Sequence, residues 1–345
     1  MKKKNKHKQI IFRADGNSNI GLGHMYRLFA LFEIYKNDYD CVFVTKKDST
    51  LSIFKNEHKS IIIPQKVTNS EEPKWLAEYF KSSDYLIIID GYKFNLQYQK
   101  KLKEKGFSLM FIDDYARKNI IADVIVNHSL YVNNRDFISS KQTKLGLGSK
   151  YAILRPMFLE EAKKDKKVSL LKKAFICFGG ADFNNLTFTC LKGIVNMEQL
   201  EEIHVVIGNA YKQIEIYKTI EENQEKISLH KNLNEAEMVK LMNRCDLAIL
   251  PTSSISYEAC AVKMIILGGY YIDNQINIYN GLKNNGLIYD AGNFNTLKEE
   301  DYRAKVYNIL NKNKESHQRL IDKQKELFDG KQKSRFLELT KELLC

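Results

Sequence analysis

The sequence predicts an α/β protein of two domains, each a parallel β-sheet covered by helices on both faces. Three observations carry this. The chain has 345 residues, more than one hydrophobic core usually holds. Short apolar runs alternate with helix-length segments, which is the pattern of βαβ units. Those runs are nearly continuous Ile, Val and Leu instead of alternating with polar residues, as in strands buried on both faces.

In the first half, Gln9–Ala14, Cys41–Thr45, Ser60–Ile63, Tyr85–Asp90, Leu109–Asp113 and Val124–Asn127 are predicted strands, with the clearest helices over His24–Tyr35 and Pro73–Lys81. The alternation pauses over Arg155–Lys173 and then restarts with Ala174–Phe178, His204–Gly208, Ile227–His230, Leu247–Leu250 and Met264–Gly268. The predicted layout is a first domain over residues 1–160, a second over 172–330 and a C-terminal helix over 331–345. Glu315–Phe328 also reads as helical, and in such layouts a terminal helix can return to the first domain.

Composition narrows the function classes. Hydrophobic residues are 44% and charged residues 28% of the chain, the balance of an ordinary globular protein. The net charge of +12 admits nucleic acid, a membrane surface or an anionic metabolite as partner. The lysines are spread along the chain, and no aromatic-interleaved basic stripe of the RNA-module type occurs, which disfavours nucleic acid. The densest interior run, AKKDKKVSLLKK at 162–173, reads first as a solvated linker and second as a partner patch. The basic N-terminus meets only a four-residue apolar stretch before Arg13 and Asp15, too short for a signal-peptide core, and no run is long enough to span a bilayer. The six cysteines, at 41, 177, 190, 245, 260 and 345, show no C-x-x-C and no metal spacing with histidine. They read as reduced, mostly buried packing residues of a cytoplasmic chain without stable membrane insertion.

Open parallel sheets bind ligands beyond the carboxyl ends of their strands, so the residues just after each run deserve the closest reading. They are Asp15, Gly16 and Asn17; Asp90 and Tyr92; Asp113 and Asp114; Asn127; Gly179, Gly180 and Asp182; Gly208 and Asn209; Thr252, Ser253 and Ser254; and Asp273, Asn274 and Gln275. Gly21-Leu22-Gly23-His24-Met25-Tyr26-Arg27 follows the first strand and opens a helix, whose free N–H groups and positive dipole end favour anions. It lacks the third glycine and the acidic residue of a dinucleotide site. His24 is flanked by glycines that clear space around it, and the helix start favours the neutral imidazole, which suits a general base. A histidine at such a place otherwise only caps or packs the helix.

Two motifs in the second half offer phosphate sites. Cys177-Phe178-Gly179-Gly180-Ala181-Asp182 ends a strand in a double glycine, either a backbone N–H cradle or a plain turn with an Asp or Asn cap. Pro251-Thr252-Ser253-Ser254-Ile255-Ser256-Tyr257-Glu258 supplies hydroxyls at a helix start, with Glu258 either holding a ribose or closing a capping box. The other histidines are scattered and read as surface or packing residues. Asp113-Asp114 could bind a metal, though such a strand-end pair is more often structural or a helix start, and no metal-ligand spacing of His with Cys or Asp occurs; no metal or cofactor is expected.

The ordered set GLGHMYR, IIDGYKF, IDDYARK, ADVIVNHS, FICFGGADFNNLT and PTSSISYEACAVKMIILGGYYIDNQ resembles the UDP-2,4-diacetamido-2,4,6-trideoxy-β-L-altropyranose hydrolases of pseudaminic acid biosynthesis. The resemblance runs from about Ile10 to about Gln275. It implies the GT-B fold, two Rossmann-like domains with parallel sheets facing an interdomain cleft, similar to the peptidoglycan UDP-GlcNAc transferase. It implies that His24 is the base that activates water for inverting attack on the anomeric carbon. Gly21, Gly23, Arg13, Asp15, Arg27 and Tyr92 would line the sugar pocket, and Asn274 and Gln275 would face the sugar–phosphate region. Gly180, Asp182, Ser253, Ser254, Glu258 and backbone groups near Leu233 would bind UDP. Two features depart from the family pattern: Gly91 stands where some relatives carry histidine, and PTSSIS differs from the usual serine-rich run. The alternative is a GT-B glycosyltransferase using a UDP-sugar donor, which shares much of the second domain; the GxGHxxR element favours the hydrolase.

Overall fold

The computed structural model describes residues 8–17, 21–50, 59–138 and 140–345. Contacts divide it into two compact units: the described residues up to Pro156 together with Lys331–Cys345, and Met157–Gly330.

In the first unit the elements run β1 (Gln9–Arg13), α1 (Gly23–Tyr35), β2 (Cys41–Lys46), β3 (Ser60–Ile63), α2 (Glu72–Tyr79), β4 (Tyr85–Asp90), α3 (Leu96–Glu104), β5 (Ser108–Ile112), β6 (Val124–Asn127) and β7 (Lys144–Leu147). The described strands pair in parallel in the order β3-β2-β1-β4-β5-β6-β7. Successive residues of each strand feed opposite cores. Ile10, Phe12, Leu86 and Ile88 face one with Leu28 and Leu31 of α1. Ile11, Ile87 and Ile89 face the other with Leu76 of α2 and Leu102 of α3. Burial on both faces is why these strands read as unbroken apolar runs.

The second unit contains α4 (Pro156–Ala162), β8 (Lys173–Ile176), α5 (Leu186–Ile194), β9 (Glu202–Ile207), α6 (Glu215–Glu221), β10 (Ile227–Lys231), α7 (Glu235–Arg244), β11 (Leu247–Pro251), α8 (Ser254–Ala261), β12 (Ile265–Tyr270), α9 (Ile276–Asn284), β13 (Tyr289–Asn293), α10 (Glu299–Leu310) and α11 (Lys314–Leu327). Its sheet is again parallel, in the order β10-β9-β8-β11-β12-β13. The last helix, α12 (Gln332–Leu344), belongs to the first unit. Its Phe336, Leu339 and Leu344 enter the α1 core, and the Tyr35 hydroxyl donates to the Phe336 carbonyl at 3.0 Å.

Two strands carry no apolar run. β7 reads KLGL and β13 reads YDAGN. Each lies at the edge of its sheet, where one side has no strand neighbour and less apolar surface must be covered. The pause predicted over Arg155–Lys173 contains α4, held by a buried lysine: the Lys263 ammonium donates to the carbonyls of Glu161, Ala162 and Ala261, closing the ends of α4 and α8 together. Among the described residues no helix is long and apolar enough to cross a membrane.

Both sheets reverse their strand order once, between β1 and β4 in the first unit and between β8 and β11 in the second. The crevice beyond the carboxyl ends of the strands at such a reversal is where open α/β sheets bind ligands.

Candidate functional site

The first reversal point holds a buried, mutually bonded cluster. After β1 the chain loops back so that the Gly21 amide donates to the Asn17 carbonyl at 2.9 Å, and α1 opens at Gly23. His24, in the first turn, is only 7% exposed. Its Nδ1 lies 2.8 Å from Oδ1 of Asp90, the last residue of β4. The same Nδ1 lies 2.9 Å from Nη2 of Arg27; a carboxylate only accepts and a guanidinium only donates, so Nδ1 bonds to Asp90 when it carries the hydrogen and to Arg27 when it does not. Gly91 makes the next step possible. Its φ of +149° is unfavourable for a residue with a side chain, and a Cβ there would meet the Phe94 ring at 3.1 Å. The chain turns at this glycine and presents Tyr92 beside His24, with ring centroids 4.6 Å apart and edge to face.

Arg27, one turn along α1, ties two carboxylates together. Its Nε and Nη2 donate to the two oxygens of Asp90 at 2.8 and 2.7 Å. Its Nη1 and Nη2 donate to those of Asp114, just past β5, at 2.5 and 2.9 Å. The Tyr92 hydroxyl also donates to Asp114, at 3.2 Å. Burial works to raise the Asp114 carboxyl, but the Arg27 charge and hydrogen bonds outweigh it and hold Asp114 well below the usual carboxylate range. The resemblance puts Arg27 in the lining of a sugar pocket. The structure bonds its guanidinium to Asp90 and Asp114.

His128, which the sequence reads as a surface or packing residue, is buried within reach of the fields of Arg27, Asp114 and Asp90. Burial and then the Arg27 charge lower it to about 4, so it is neutral near pH 7. Two other histidines, His7 and His58, lie outside the described residues.

Arg13 and Asp15 are likewise bonded within the first unit. Arg13 is completely buried and donates to both oxygens of Glu72, at 2.5 and 3.0 Å, and to both of Asp15, at 2.7 and 3.0 Å. Asp15 further accepts from the Thr45 hydroxyl at 2.9 Å, the Lys46 amide at 2.7 Å and the Lys93 ammonium. Burial alone would raise its carboxyl, yet Arg13 and Lys93 hold it far below its ordinary range. With every oxygen engaged, neither residue has a group left for a sugar. Together they anchor the loop that leads to His24.

The second reversal point is built from glycine and hydroxyl groups. Gly179 and Gly180 follow β8, and Gly208 follows β9. A Cβ on Gly208 would lie 2.6 Å from the Gly180 Cα, so the double-glycine loop rests directly on that residue. A Cβ on Gly180 or on Gly23 would meet nothing within 4 Å among the described residues, and neither has a left-handed φ. Both thus border space that the described residues leave open. Ser253 and Ser254, half-buried, start α8; Ser253 is the N-cap but makes no side-chain capping bond. Glu258 is the fifth residue of α8. A capping box places its acidic residue third, which here is Ser256, so that explanation of Glu258 fails.

Asp182 turns out to be the helix cap. Its two oxygens accept from the Leu186 amide at 3.0 Å and the Thr187 amide at 2.7 Å. The carboxylate therefore occupies the N-terminus of α5. Gln275 is likewise buried, its Oε1 accepting from the Tyr271 amide at 3.0 Å, whereas Asn274 is half-buried in the same turn. Leu233 follows Asn232, which has a φ of +53° and donates to the Asn209 side chain at 2.5 Å, joining the loops after β9 and β10. No group of three or more metal-ligating side chains occurs among the described residues. Asp90, which meets His24, and Asp114, which meets Arg27, are both visible in the sequence as strand-end aspartates, but no spacing rule selects them from the others.

No protein-family model matches the chain. Among curated proteins it is 25% identical over 271 residues to the UDP-2,4-diacetamido-2,4,6-trideoxy-β-L-altropyranose hydrolase of Campylobacter jejuni, covering 77% of this chain and 93% of the relative. It is 27% identical over 283 residues to an uncharacterised protein of Methanocaldococcus jannaschii, covering 79% of this chain but only 57% of that longer one. It is 23% identical over 287 residues to the spore coat polysaccharide biosynthesis protein SpsG of Bacillus subtilis, covering 81% and 82%. Among solved structures, Acinetobacter baumannii MurG superimposes with a TM-score of 0.64 at 12% identity over 97% of this chain and 99% of its own. Arabidopsis thaliana UGT89C1, complexed with UDP-L-rhamnose, gives 0.66 at 11% identity over 99% and 100%. The fold is GT-B, with a parallel α/β sheet in each unit.

Proposed function

We propose that this chain is a cytoplasmic UDP-sugar hydrolase that releases UDP from UDP-2,4-diacetamido-2,4,6-trideoxy-β-L-altropyranose or a close UDP-deoxyaminosugar, as a step of pseudaminic acid biosynthesis. The observation that carries the reading is the His24–Asp90 pair at the first reversal point. In this reading the Nδ1 hydrogen is donated to Asp90, which orients the imidazole, and Nε2 takes a proton from water as the water oxygen attacks the anomeric carbon. The bond from that carbon to the UDP oxygen breaks, UDP leaves with the electron pair, and the configuration inverts. When His24 becomes imidazolium, the Asp90 carboxylate beside it stabilises the new charge.

In this reading the second unit holds UDP. Backbone amides at Gly180 and the first turn of α8, with the Ser253 and Ser254 hydroxyls, suit the pyrophosphate. Glu258 would accept the ribose hydroxyls, and backbone near Leu233 would meet uracil. Gly21, Gly23 and Tyr92 would shape the sugar side, with Asn274 toward the phosphates. The similarity to the Campylobacter jejuni hydrolase supports both substrate class and reaction.

NMR of the purified protein with that UDP-sugar tests the reading. Free sugar of inverted anomeric configuration and UDP should accumulate with water as the sole acceptor. Turnover that starts only when a hydroxylated acceptor is added would replace the hydrolase with a glycosyltransferase.

A further inference from the structure

Tyr92 is not alone beside His24. Tyr115 follows the Asp113–Asp114 pair after β5, and its ring centroid lies 5.2 Å from that of Tyr92. The two rings are 41% and 42% exposed. They border a cluster in which His24, Arg27 and Asp90 are buried. Tyr115 is also held in place. The Arg117 guanidinium lies 5.6 Å from its centroid and 5.6 Å from that of Phe111, an arrangement within cation–π range. Arg117 is itself paired with Asp113. The next residue, Ala116, has a φ of +54°, a conformation costly for a side-chain-bearing residue, and such outliers cluster where a loop is held for a ligand. Two fixed, contiguous and exposed aromatic rings at the rim of a polar site are a surface for ligand contact.

We infer that Tyr115, with Tyr92, forms an aromatic shelf that selects sugars bearing apolar substituents, such as N-acyl or C-methyl groups, over fully hydroxylated ones. This rests on the UDP-sugar reading above and names its specificity element. A methyl group packs on an aromatic face with gain, whereas a hydroxyl there loses its hydrogen-bond partners. Tyr115 is not placed in the proton transfer. Its contribution is to sugar affinity and orientation, while Tyr92 also holds Asp114.

The test uses saturation-transfer NMR and titration calorimetry with UDP, UDP-glucose and UDP-N-acetylglucosamine on the wild-type protein, Tyr115→Ala and Tyr115→Phe. The wild type should bind the N-acetyl probe more tightly than UDP-glucose and should saturate its methyl protons. Tyr115→Ala should weaken the N-acetyl probe about tenfold, lose the methyl signal and leave UDP and UDP-glucose affinities within about twofold. Tyr115→Phe should behave like the wild type, because the ring and not the hydroxyl is required. Wild-type protein that shows no methyl saturation, or a Tyr115→Ala protein with unchanged preference, overturns the shelf. A shelf that passes these binding tests in a protein that hydrolyses nothing would overturn the hydrolase reading alone.

Discussion

The two reversal points sit at equivalent places in sheets whose strand orders match except for the extra edge strand β7, yet they are made of opposite materials. At the first, between β1 and β4, two carboxylates, a guanidinium and a histidine bond to one another below the surface, and a second histidine is buried nearby. At the second, between β8 and β11, the exposed groups are glycine backbone and serine hydroxyls, and Asp182 is turned inward as a helix cap. A charged network of this kind holds a base in one orientation. A surface of backbone amides can receive an anion without a counter-charge that must be desolvated. Equal topology supplies equal crevices, and the residues that end the strands decide which chemistry each one suits.

The sharpest way to break this contrast is to remove the base. His24→Asn should fold and bind UDP with near wild-type affinity, because the proposed UDP contacts all lie in the other unit, and should lose about 10²–10⁴-fold in turnover. Release of free sugar at near the wild-type rate would end the assignment of chemistry to the first unit.

Arg27→Ala probes the same cluster through stability. Removing the guanidinium leaves Asp90 and Asp114 buried together without their shared partner, which should cost about 3–5 kcal/mol in urea unfolding. Gly180→Ala, in the second unit, meets nothing within 4 Å and should leave the unfolding midpoint where it is while weakening UDP. Equal unfolding midpoints for these two variants would erase the difference drawn between the networks.

Glu258 sharpens the other half. With the capping box excluded by its place in α8, Glu258→Ala should weaken UDP by about 1.5–3 kcal/mol, the range for hydrogen bonds to a charged group, with turnover at saturating substrate little changed. Calorimetric titration showing normal UDP affinity in a folded variant would remove Glu258 from the nucleotide site.

An effect of comparable size concerns pH. His128 is held neutral by burial, at about 4 against an ordinary 6.5. On acidification the unfolded chain takes up this proton first, so stability falls as pH drops below about 6.5 and levels off below about 4, by up to about 1.4 kcal/mol per pH unit. His128→Gln should flatten that limb between pH 7 and 5, and an unchanged slope in urea midpoints would show that other groups dominate.

Much of this was legible in the linear chain for a simple physical reason. Strands buried on both faces must be continuously apolar, so β1, β4, β6, β9 and β11 announce themselves, and the polar residues that end them mark the ligand side of each sheet. His24 stands out because glycines and a helix start surround it. The rest needed three dimensions. Parallel pairing puts β4 beside β1 across two intervening strands, which is how Asp90 comes to orient a histidine 66 positions earlier and Arg27 to reach Asp114, 87 positions on. Arg13 is silenced by Glu72, 59 positions away, and Asp182 by the helix it caps. The side chains of α12 enter the core of the first unit. Local pattern sets which segments are strands and where they end. Only the order of the strands, decided by how the crossovers pack, sets which of those ends meet.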